Sequence, residues 1–330
     1  MNKKEEDAII QGQSMIMQHL QSFLIGVAIR CAIEKIVDII HNRGVPLTLT
    51  HIAHEINSPT LNLDGLSRLM RFLVRKQILD EVHEPECNEP LYVLNYCSKW
   101  LKHDERNSLA AFTMWMTHPD STSNFLGLKQ SIIEGDTAIQ KTYGVELWDF
   151  VSTNPQYNRI FNEGMACFTW STMDAILSSY EFHGVKGTSV DIGGGIGTAI
   201  NDIVTKYPHI KGINFDLPHI ISDAPTYQGV THVEGDMFKA IPPANSYLIK
   251  SVLHNWDIIL NPRGDGVFDD ACINFDIIMF MACNIGGRER TEDEWKAILE
   301  DAQFNSSKLS RFLRTYPLWK LTMIDASKRV

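Results

Sequence analysis

A glycine-rich loop is the feature of this sequence with the clearest capacity to bind a ligand. It spans residues 191–197, with the sequence DIGGGIG, between an apolar stretch and a helical pattern. Glycines let the backbone turn sharply and approach a bound ligand closely. The dinucleotide fingerprint G-x-G-x-x-G/A fails in both frames, because Thr198 and Ile200 occupy its last position. The pattern D-x-G-x-G-x-G is complete, and it favours S-adenosylmethionine, which has no pyrophosphate to cradle.

Two further carboxylates end the apparent strands that follow this loop. Asp216 closes one strand, where a carboxylate can accept hydrogen bonds from both hydroxyls of a ribose. Asp236 closes the next, where it can bind an adenine amino group while the thioether of Met237 packs on the ring. A single aspartate at a strand end is usually a turn residue. Three acids at consecutive strand ends, after one glycine loop, indicate a nucleoside site.

The elements that must position these residues alternate between strand and helix from residue 188 onward. Short apolar strands are predicted at 189–192, 210–215, 231–233 and 247–253, and a helix over 198–206 links the first two. Such an alternation predicts a parallel sheet with ligand chemistry at the carboxyl ends of its strands. The predicted fold class is therefore α/β, with a doubly wound, mostly parallel, Rossmann-like sheet.

The N-terminal part is predicted to be helical and to mediate dimerisation. Residues 5–40 repeat apolar side chains at three- and four-residue steps, and 23–33 is apolar on more than one face, which favours packing against a second subunit. Thr48 or Thr50 is a candidate helix cap. A helix over 64–77 and a strand over 91–94 complete a winged-helix-like outline. DNA binding is disfavoured, because apolar residues occupy much of the second helix and glutamates crowd the segment after it.

Residues 109–184 are predicted to be mostly helical and are rich in large side chains. These side chains either form a helical core or line a flat pocket for an aromatic ligand, and spacing alone does not separate the two. We therefore divide the chain into residues 1–108, a dimerisation domain, and residues 109–330. Within the second, 109–184 is the substrate-lining part and 185–330 the Rossmann-like part.

The composition favours a soluble, cytoplasmic protein. The chain has 330 residues and a formal net charge of −10, which argues against nucleic-acid binding as its main role. Its six cysteines are scattered without a CxxC pair, which indicates reduced thiols and no zinc cluster. The charged start lacks the apolar core of a signal peptide, and no apolar run approaches a membrane span. We expect neither nucleic acid nor membrane as a partner, and no metal.

Taken in order, the motifs resemble those of the plant small-molecule O-methyltransferases. They are VDIGGGIG at 190–197, FDLPH at 215–219, GDMF at 235–238, LHNW at 253–256 and GRERT at 287–291. The sequence is similar to the caffeic acid and isoflavone type, and especially to the branch that methylates benzylisoquinoline alkaloids. The resemblance implies a class I methyltransferase fold, S-adenosylmethionine as the cofactor, and a small aromatic acceptor with a hydroxyl group. It also implies a homodimer whose intertwined N-terminal helices close the partner's active site.

The resemblance further implies which residues bind the two substrates. The residues expected to hold the methyl donor are Gly193, Asp216, Asp236, Met237 and Lys250. Those expected to contact the acceptor are Phe161, Met165, Met279 and Asn284.

His254, in the LHNW motif, is the candidate general base. A phenol has a pKa near 10 and is a poor nucleophile at neutral pH, so a neutral imidazole within hydrogen-bond reach suits its activation. Because His254 follows the fourth strand, we expect it on the same rim as the donor. Glu289 is the best-matched carboxylate to orient the imidazole and stabilise its charged form.

The family pattern breaks directly after LHNW. Family members continue with a helix and a strand that ends in a second catalytic acid, whereas here 257–260 passes quickly to 261–266 and then to 275–279. About 25 residues, roughly one helix and one strand with their links, are missing. Asp257 is either the acid that normally follows the tryptophan or the second catalytic acid, joined across the gap. Asn255 replaces an aspartate that is common beside the histidine.

Three functions are therefore compared. The first is an S-adenosylmethionine-dependent O-methyltransferase acting on a phenolic plant metabolite, shortened by one helix and one strand, with weakened folding and low or absent turnover. The second is a catalytically impaired paralogue that dimerises with a full-length methyltransferase. The third is an NAD(P)-dependent oxidoreductase, which the failed fingerprint disfavours.

Overall fold

The computed structural model of the chain describes residues 3–85, 88–103, 105–250, 269–282 and 321–325. It divides into two compact units, Met1–Thr117 and His118–Val330. The division falls after the helix Ala110–Met116, which packs on the first helix of the chain. The domain limits 1–108 and 109–330 stay a prediction.

The first unit combines six helices with a small antiparallel sheet among its described residues. The helices are α1 (Lys3–Lys35), α2 (Val37–Arg43), α3 (Leu49–Ile56), α4 (Leu63–Arg75), the 3₁₀ turn Ser98–Leu101 and α5 (Ala110–Met116). The strands are β1 (Leu47–Thr48), β2 (Leu79–Val82) and β3 (Leu91–Leu94), in the order β1-β3-β2.

Local signals in the sequence explain where the helices of this unit begin and end. Gly44, at φ 66°, ends α2 in a left-handed conformation that costs glycine little. The Thr48 side chain accepts a hydrogen bond from the amide of His51 and so caps α3, which decides between the two predicted caps. In α4, Leu66, Met70 and Leu73 are buried at the spacing of one helical face. The predicted helix over 5–40 is interrupted near Ile36, where α1 gives way to α2.

The first two-thirds of α1 present apolar side chains to the outside. Those more than half exposed include Ile9, Ile10, Ile16, Leu20, Phe23 and Leu24. Among the described residues, α1 is also the one helix that could cross a membrane by length and composition alone. This differs from the expectation of no such segment, which counted consecutive apolar residues. In α1 the apolar residues alternate with uncharged polar ones such as Gln18 and Ser22.

The second unit places a five-stranded sheet among its helices. The strands are β4 (Thr188–Ile192), β5 (Lys211–Asp216), β6 (Val230–Glu234), β7 (Ser246–Lys250) and β8 (Leu321–Asp325). The helices are α6 (Pro119–Phe125), α7 (Leu128–Glu134), α8 (Ala138–Tyr143), α9 (Leu147–Thr153), α10 (Pro155–Ser179), the 3₁₀ turn Phe182–Gly184, α11 (Thr198–Lys206), α12 (Pro218–Ile221) and α13 (Asp269–Ala282).

The sheet has the order β6-β5-β4-β7-β8. The first four strands are parallel, as predicted, and β8 pairs antiparallel with β7. The strand at 321–325 was not predicted from the sequence, and of the fourth predicted strand, 247–253, the structure describes only the part up to Lys250.

The core of this unit lies where α10 and α11 cover the centre of the sheet. Met173 and Ile176 of α10 pack with Ile203 of α11 and Leu248 of β7, and each is at most 2% exposed. On β4, Val190 and Asp191 are both almost fully buried. The central strands are therefore well packed, and their carboxyl ends form one edge of the sheet.

Candidate functional site

The carboxyl ends of β4, β5 and β6 bring the three predicted acids to one edge of the sheet. Ile192 of β4 lies opposite Phe215 of β5, and Asp216 lies opposite Glu234 of β6. Because the strands are parallel and in register, the glycine loop, Asp216 and Asp236 all leave the sheet on the same side. The nucleoside site predicted from the strand-end acids thus has a common edge on which to form.

The glycine loop is tied to β5 through its own backbone. The Gly193 amide donates to the carbonyl of Phe215 at 2.8 Å, and the Gly195 amide donates to Oδ2 of Asp216 at 2.8 Å. Gly195 has φ 59°, and a Cβ built on it would meet no atom of the described residues within 4 Å. The loop is therefore held against the end of β5, and the described residues leave space above Gly195, as a site for a bound nucleoside requires.

Asp216 has the geometry of an acceptor for two hydroxyls. Its Oδ1 accepts from the amide of Leu217 at 2.7 Å, while Oδ2 accepts from Gly195. Each carboxylate oxygen keeps a further lone pair for a ligand donor. Burial raises the pKa of Asp216 to about 6, although the hydrogen bonds from the two backbone amides oppose this shift. At neutral pH the group is thus mainly ionised and acts only as an acceptor.

Asp236 and Met237 form the next part of this edge. Oδ1 of Asp236 accepts from the amide of Phe238 at 2.9 Å, and Oδ2 lies 3.1 Å from Nζ of Lys239. Both neighbours lower the pKa of Asp236, so it is an ionised acceptor suited to an amino group. The Met237 side chain packs partly buried against the cluster that contains Phe215.

Lys250 takes part in a buried electrostatic pair with Asp191. Asp191 lies opposite Leu248, and Lys250 follows two residues later on β7, so both side chains are on one face of the sheet. They are 1% and 6% exposed. Burial raises the pKa of Asp191 and lowers that of Lys250, while each charge opposes the shift of the other. The Lys250 ammonium thus has a counter-charge within the protein, and its contact with the donor stays a prediction.

Three of the predicted acceptor residues lie on two helices that contact each other. Phe161 and Met165 are on α10, and the Phe161 ring meets that of Trp148 edge to face at 5.8 Å. Met279 is half-buried on α13. Phe168 of α10 and Phe275 of α13 are also in edge-to-face contact at 5.8 Å. The fourth predicted acceptor residue, Asn284, and the catalytic candidates His254, Asp257 and Glu289 lie outside the described residues.

Comparisons with known proteins match both units of the chain. Residues 17–104 match the O-methyltransferase dimerisation domain, and residues 125–259 match the O-methyltransferase domain. Desmethylxanthohumol 6'-O-methyltransferase of Humulus lupulus is 39% identical over 92% of this chain and 96% of its own. (R,S)-reticuline 7-O-methyltransferase of Papaver somniferum is 36% identical, over 89% and 92%. The chain belongs to the plant O-methyltransferase family.

Solved structures agree at the level of the fold. Human N-acetylserotonin methyltransferase, in complex with S-adenosylmethionine, superposes with a TM-score of 0.77 at 16% identity. The superposition covers 96% of this chain and 97% of the human one. The methyltransferase described here thus has the class I fold with an N-terminal dimerisation domain, as the resemblance implied, and the oxidoreductase alternative is left without support.

The cofactor of this methyltransferase is S-adenosylmethionine, and the residues of the strand-end edge fit it. The open space above Gly195 accommodates a ligand against the loop. Asp216 supplies a carboxylate for the ribose hydroxyls, while Asp236 and Met237 supply an acceptor and a thioether for adenine. Among the described residues, no group of three or more His, Cys, Asp and Glu side chains is placed to hold a metal ion.

The comparisons bear on the break in the family pattern. The match to the O-methyltransferase domain ends at residue 259, inside the segment where the sequence analysis placed the break. The alignment with the Humulus lupulus enzyme extends over 339 residues, although 92% of this 330-residue chain takes part in it. Since the alignment is longer than the chain itself, that relative contains residues with no counterpart here.

Two further residues belong to this edge and were not singled out from the sequence. Asn214 lies on β5 two residues before Asp216, and its Nδ2 donates to the Gly195 carbonyl at 2.9 Å. His232 of β6 lies against it, with Nδ1 at 3.1 Å from the same Nδ2. The one available signal was the spacing, because residues two apart on a strand share a face.

Proposed function

We propose that this protein transfers a methyl group from S-adenosylmethionine to a phenolic hydroxyl of a small plant aromatic metabolite. The observation that carries the proposal is the common edge of the sheet, where the Gly195 amide donates to Asp216 and the described residues leave space for a ligand above Gly195. Relatives named for desmethylxanthohumol and for reticuline support an aromatic acceptor. The bound donor supplies an electrophilic methyl group on a positively charged sulfur.

The proposed donor contacts follow the geometry of the edge. Gly193 and Asp216 bind the nucleoside, Asp216 through its ribose, and Asp236 and Met237 bind adenine. Lys250, charge-paired to Asp191, is proposed to contact the polar end of the donor. The ionised state of both strand-end aspartates at neutral pH supports these roles.

The proposed acceptor pocket lies between α10 and α13. Phe161, Met165 and Met279 supply apolar surface for an aromatic ring, and Asn284 adds a polar contact. His254 is the proposed general base that removes the phenolic proton as the methyl group is transferred. Glu289 is proposed to orient the imidazole, and Asp257 to act as the second acid.

The proposed assembly is a cytoplasmic homodimer formed through the N-terminal helices. The match to a dimerisation domain and the exposed apolar residues of α1 support it. Contact of the partner's helix with the active site, the winged-helix-like character of the first unit, and the absence of nucleic-acid and membrane binding stay predictions.

The shortened chain is proposed to fold less stably and to turn over slowly or not at all. An impaired paralogue that dimerises with a full-length methyltransferase is the second candidate, favoured by the end of the family match at residue 259. Inserting a family-like helix and strand after this point, then measuring melting temperature and turnover, tests both effects. No gain in either would contradict the idea.

The deciding experiment uses radiolabelled S-adenosylmethionine with a panel of simple phenols, flavonoids and alkaloids. Transfer of label to a hydroxyl supports the first function, and His254→Ala should abolish it while leaving calorimetric binding of S-adenosylhomocysteine nearly intact. Cofactor binding without transfer, together with co-purification of an active relative, supports the paralogue. Unchanged transfer by His254→Ala would remove His254 from the mechanism.

A further inference from the structure

A buried amide and an imidazole lie directly beneath the glycine loop. Asn214 is 0% exposed, and its Nδ2 donates both to the Gly195 carbonyl at 2.9 Å and to Nδ1 of His232 at 3.1 Å. Nε2 of His232 lies 2.9 Å from the carbonyl of Pro225. Side chains of β5 and β6 and the Pro225 backbone thus form one hydrogen-bonded row that ends on the loop.

The hydrogen-bond partners determine the orientation of both side chains. The Gly195 carbonyl only accepts, so the atom of Asn214 that faces it must be the Nδ2 donor. That same nitrogen requires an acceptor at Nδ1 of His232, and Nε2 must then carry the hydrogen that is donated to Pro225. His232 is therefore in its neutral Nε2–H tautomer, and each atom of the row has one defined role.

This row completes the fixation of the Gly195 peptide. The amide of Gly195 is bound by Asp216, and its carbonyl is bound by Asn214, which is two residues earlier on the same strand. A Cβ at Gly197 would lie 3.1 Å from Cε1 of His232, so the imidazole also supports the last turn of the loop. The conformation of the loop and the hydrogen bond to Asp216 thus depend on a common support.

A purely stabilising role explains Asn214 poorly. Its Oδ1 is buried and has no hydrogen-bond partner among the residues that the structure describes. Leaving a buried acceptor unpaired is unfavourable, and an apolar side chain of similar shape would avoid that cost. What Asn214 contributes beyond such a side chain is the pair of hydrogen bonds from Nδ2, one to the loop and one to His232.

We infer that Asn214 and His232 are positioning residues for the methyl donor. They hold the Gly195 peptide in the conformation in which Asp216 is presented to the ribose. A loop that is ordered before binding does not lose conformational entropy when the ligand arrives, so the affinity for the donor is higher. This inference rests on donor binding at the strand-end edge.

The two amide substitutions of His232 provide a matched test. Asparagine can place an oxygen near the position of Nδ1 and so accept from Asn214, but it does not reach Pro225. Glutamine can place a nitrogen near the position of Nε2 and donate to Pro225, but it offers no acceptor to Asn214. Each variant loses one hydrogen bond, so we expect similar decreases in melting temperature for His232→Asn and His232→Gln.

Donor affinity is expected to separate the two variants. The Kd for S-adenosylhomocysteine, measured by calorimetry on the full chain, should rise about three- to tenfold in His232→Gln and stay near the parent value in His232→Asn. Hydrogen–deuterium exchange of residues 193–197 in the free protein should be faster in the glutamine variant only. Asn214→Asp, which places an acceptor against the Gly195 carbonyl, should weaken binding further.

Equal affinities for the two His232 variants, with equal exchange in the loop, would overturn the positioning role. If the parent protein itself fails to bind S-adenosylhomocysteine, donor binding at this edge is wrong and the positioning role falls with it. A parent that binds, with variants that do not differ, leaves the proposed methyl transfer intact and refutes only the role of Asn214 and His232.

Discussion

Replacing Gly195 by alanine tests whether the methyl donor lies above the glycine loop. Gly195 has φ 59°, and within the described part of the chain an added Cβ meets nothing within 4 Å. The left-handed conformation costs a residue with a Cβ about 1–2 kcal/mol, partly offset by about 0.4–1 kcal/mol from the reduced freedom of the unfolded chain. We therefore expect Gly195→Ala to lower the free energy of unfolding by about 1 kcal/mol. The melting temperature should fall by about 2–4 °C.

Gly144 offers a matched control in the same unit. It ends α8 with φ 75° and ψ 7°, and a Cβ built there likewise has no neighbour within 4 Å among the residues that the structure describes. Gly144→Ala should therefore lower the melting temperature about as much as Gly195→Ala. The two variants differ in position only, because one methyl group points into the proposed donor site and the other does not.

Binding of S-adenosylhomocysteine, followed by calorimetric titration well below the melting temperature, distinguishes the two variants. A methyl group inserted into a well-packed contact costs about 1–3 kcal/mol, which corresponds to roughly a 5- to 150-fold loss of affinity for Gly195→Ala. Gly144→Ala should bind as the parent does. Equal affinities of the two variants would refute the placement of the donor above Gly195.

Three further predictions concern charge and assembly. Lys250→Met leaves Asp191 buried without its counter-charge and should lower the free energy of unfolding, measured in urea, by about 3–5 kcal/mol. The double variant with Asp191→Asn should recover much of this stability. If the losses from the two substitutions are additive, the two side chains are not paired. The pKa of Asp216 is raised to about 6, and its ionised form accepts the ribose hydroxyls. Affinity for S-adenosylhomocysteine should therefore fall as pH drops through 6 and level off above 7. An Asp216→Asn variant should lack this pH dependence, and a parent protein whose affinity does not change with pH would refute the prediction. Leu20 is 72% exposed, and Leu20→Glu should shift the protein toward monomer in analytical ultracentrifugation. The melting temperature of the monomer itself should not fall. If the variant remains as dimeric as the parent, this part of α1 is not in the interface.

The sequence predicted several helices and strands of both units closely. The helix over 198–206 and the strand over 91–94 have the observed bounds, and the parallel strands begin within one residue of their predicted starts. These segments combine a clear apolar pattern with turn-forming or acidic residues beside most of their ends, so local signals suffice. The strand Leu79–Val82 was missed, because its two central residues are Asp80 and Glu81 and its pairing with β3 is a contact between distant parts of the chain.

Some residues of the candidate site were likewise predicted from the sequence, and others were not. The strand-end acids were predicted because parallel strands bring their carboxyl ends together whatever the detailed packing. The roles of Asn214 and His232 depend on a register between β5 and β6 that places Asn214 opposite His232. No local pattern reports that register, since it is set by the tertiary packing of both strands.

The antiparallel pairing of β8 with β7 has a consequence for how the protein is made. The strand that carries Lys250 gains its second neighbour only when residues 321–325 become available, after the whole of 251–320 has been synthesised. Bringing together two strands so far apart in the sequence adds an entropic cost to folding, and the pairing has to wait until residues 321–325 have been synthesised. Until then the exposed side of β7 is an open edge on the nascent chain, available to chaperones and to other unfolded chains.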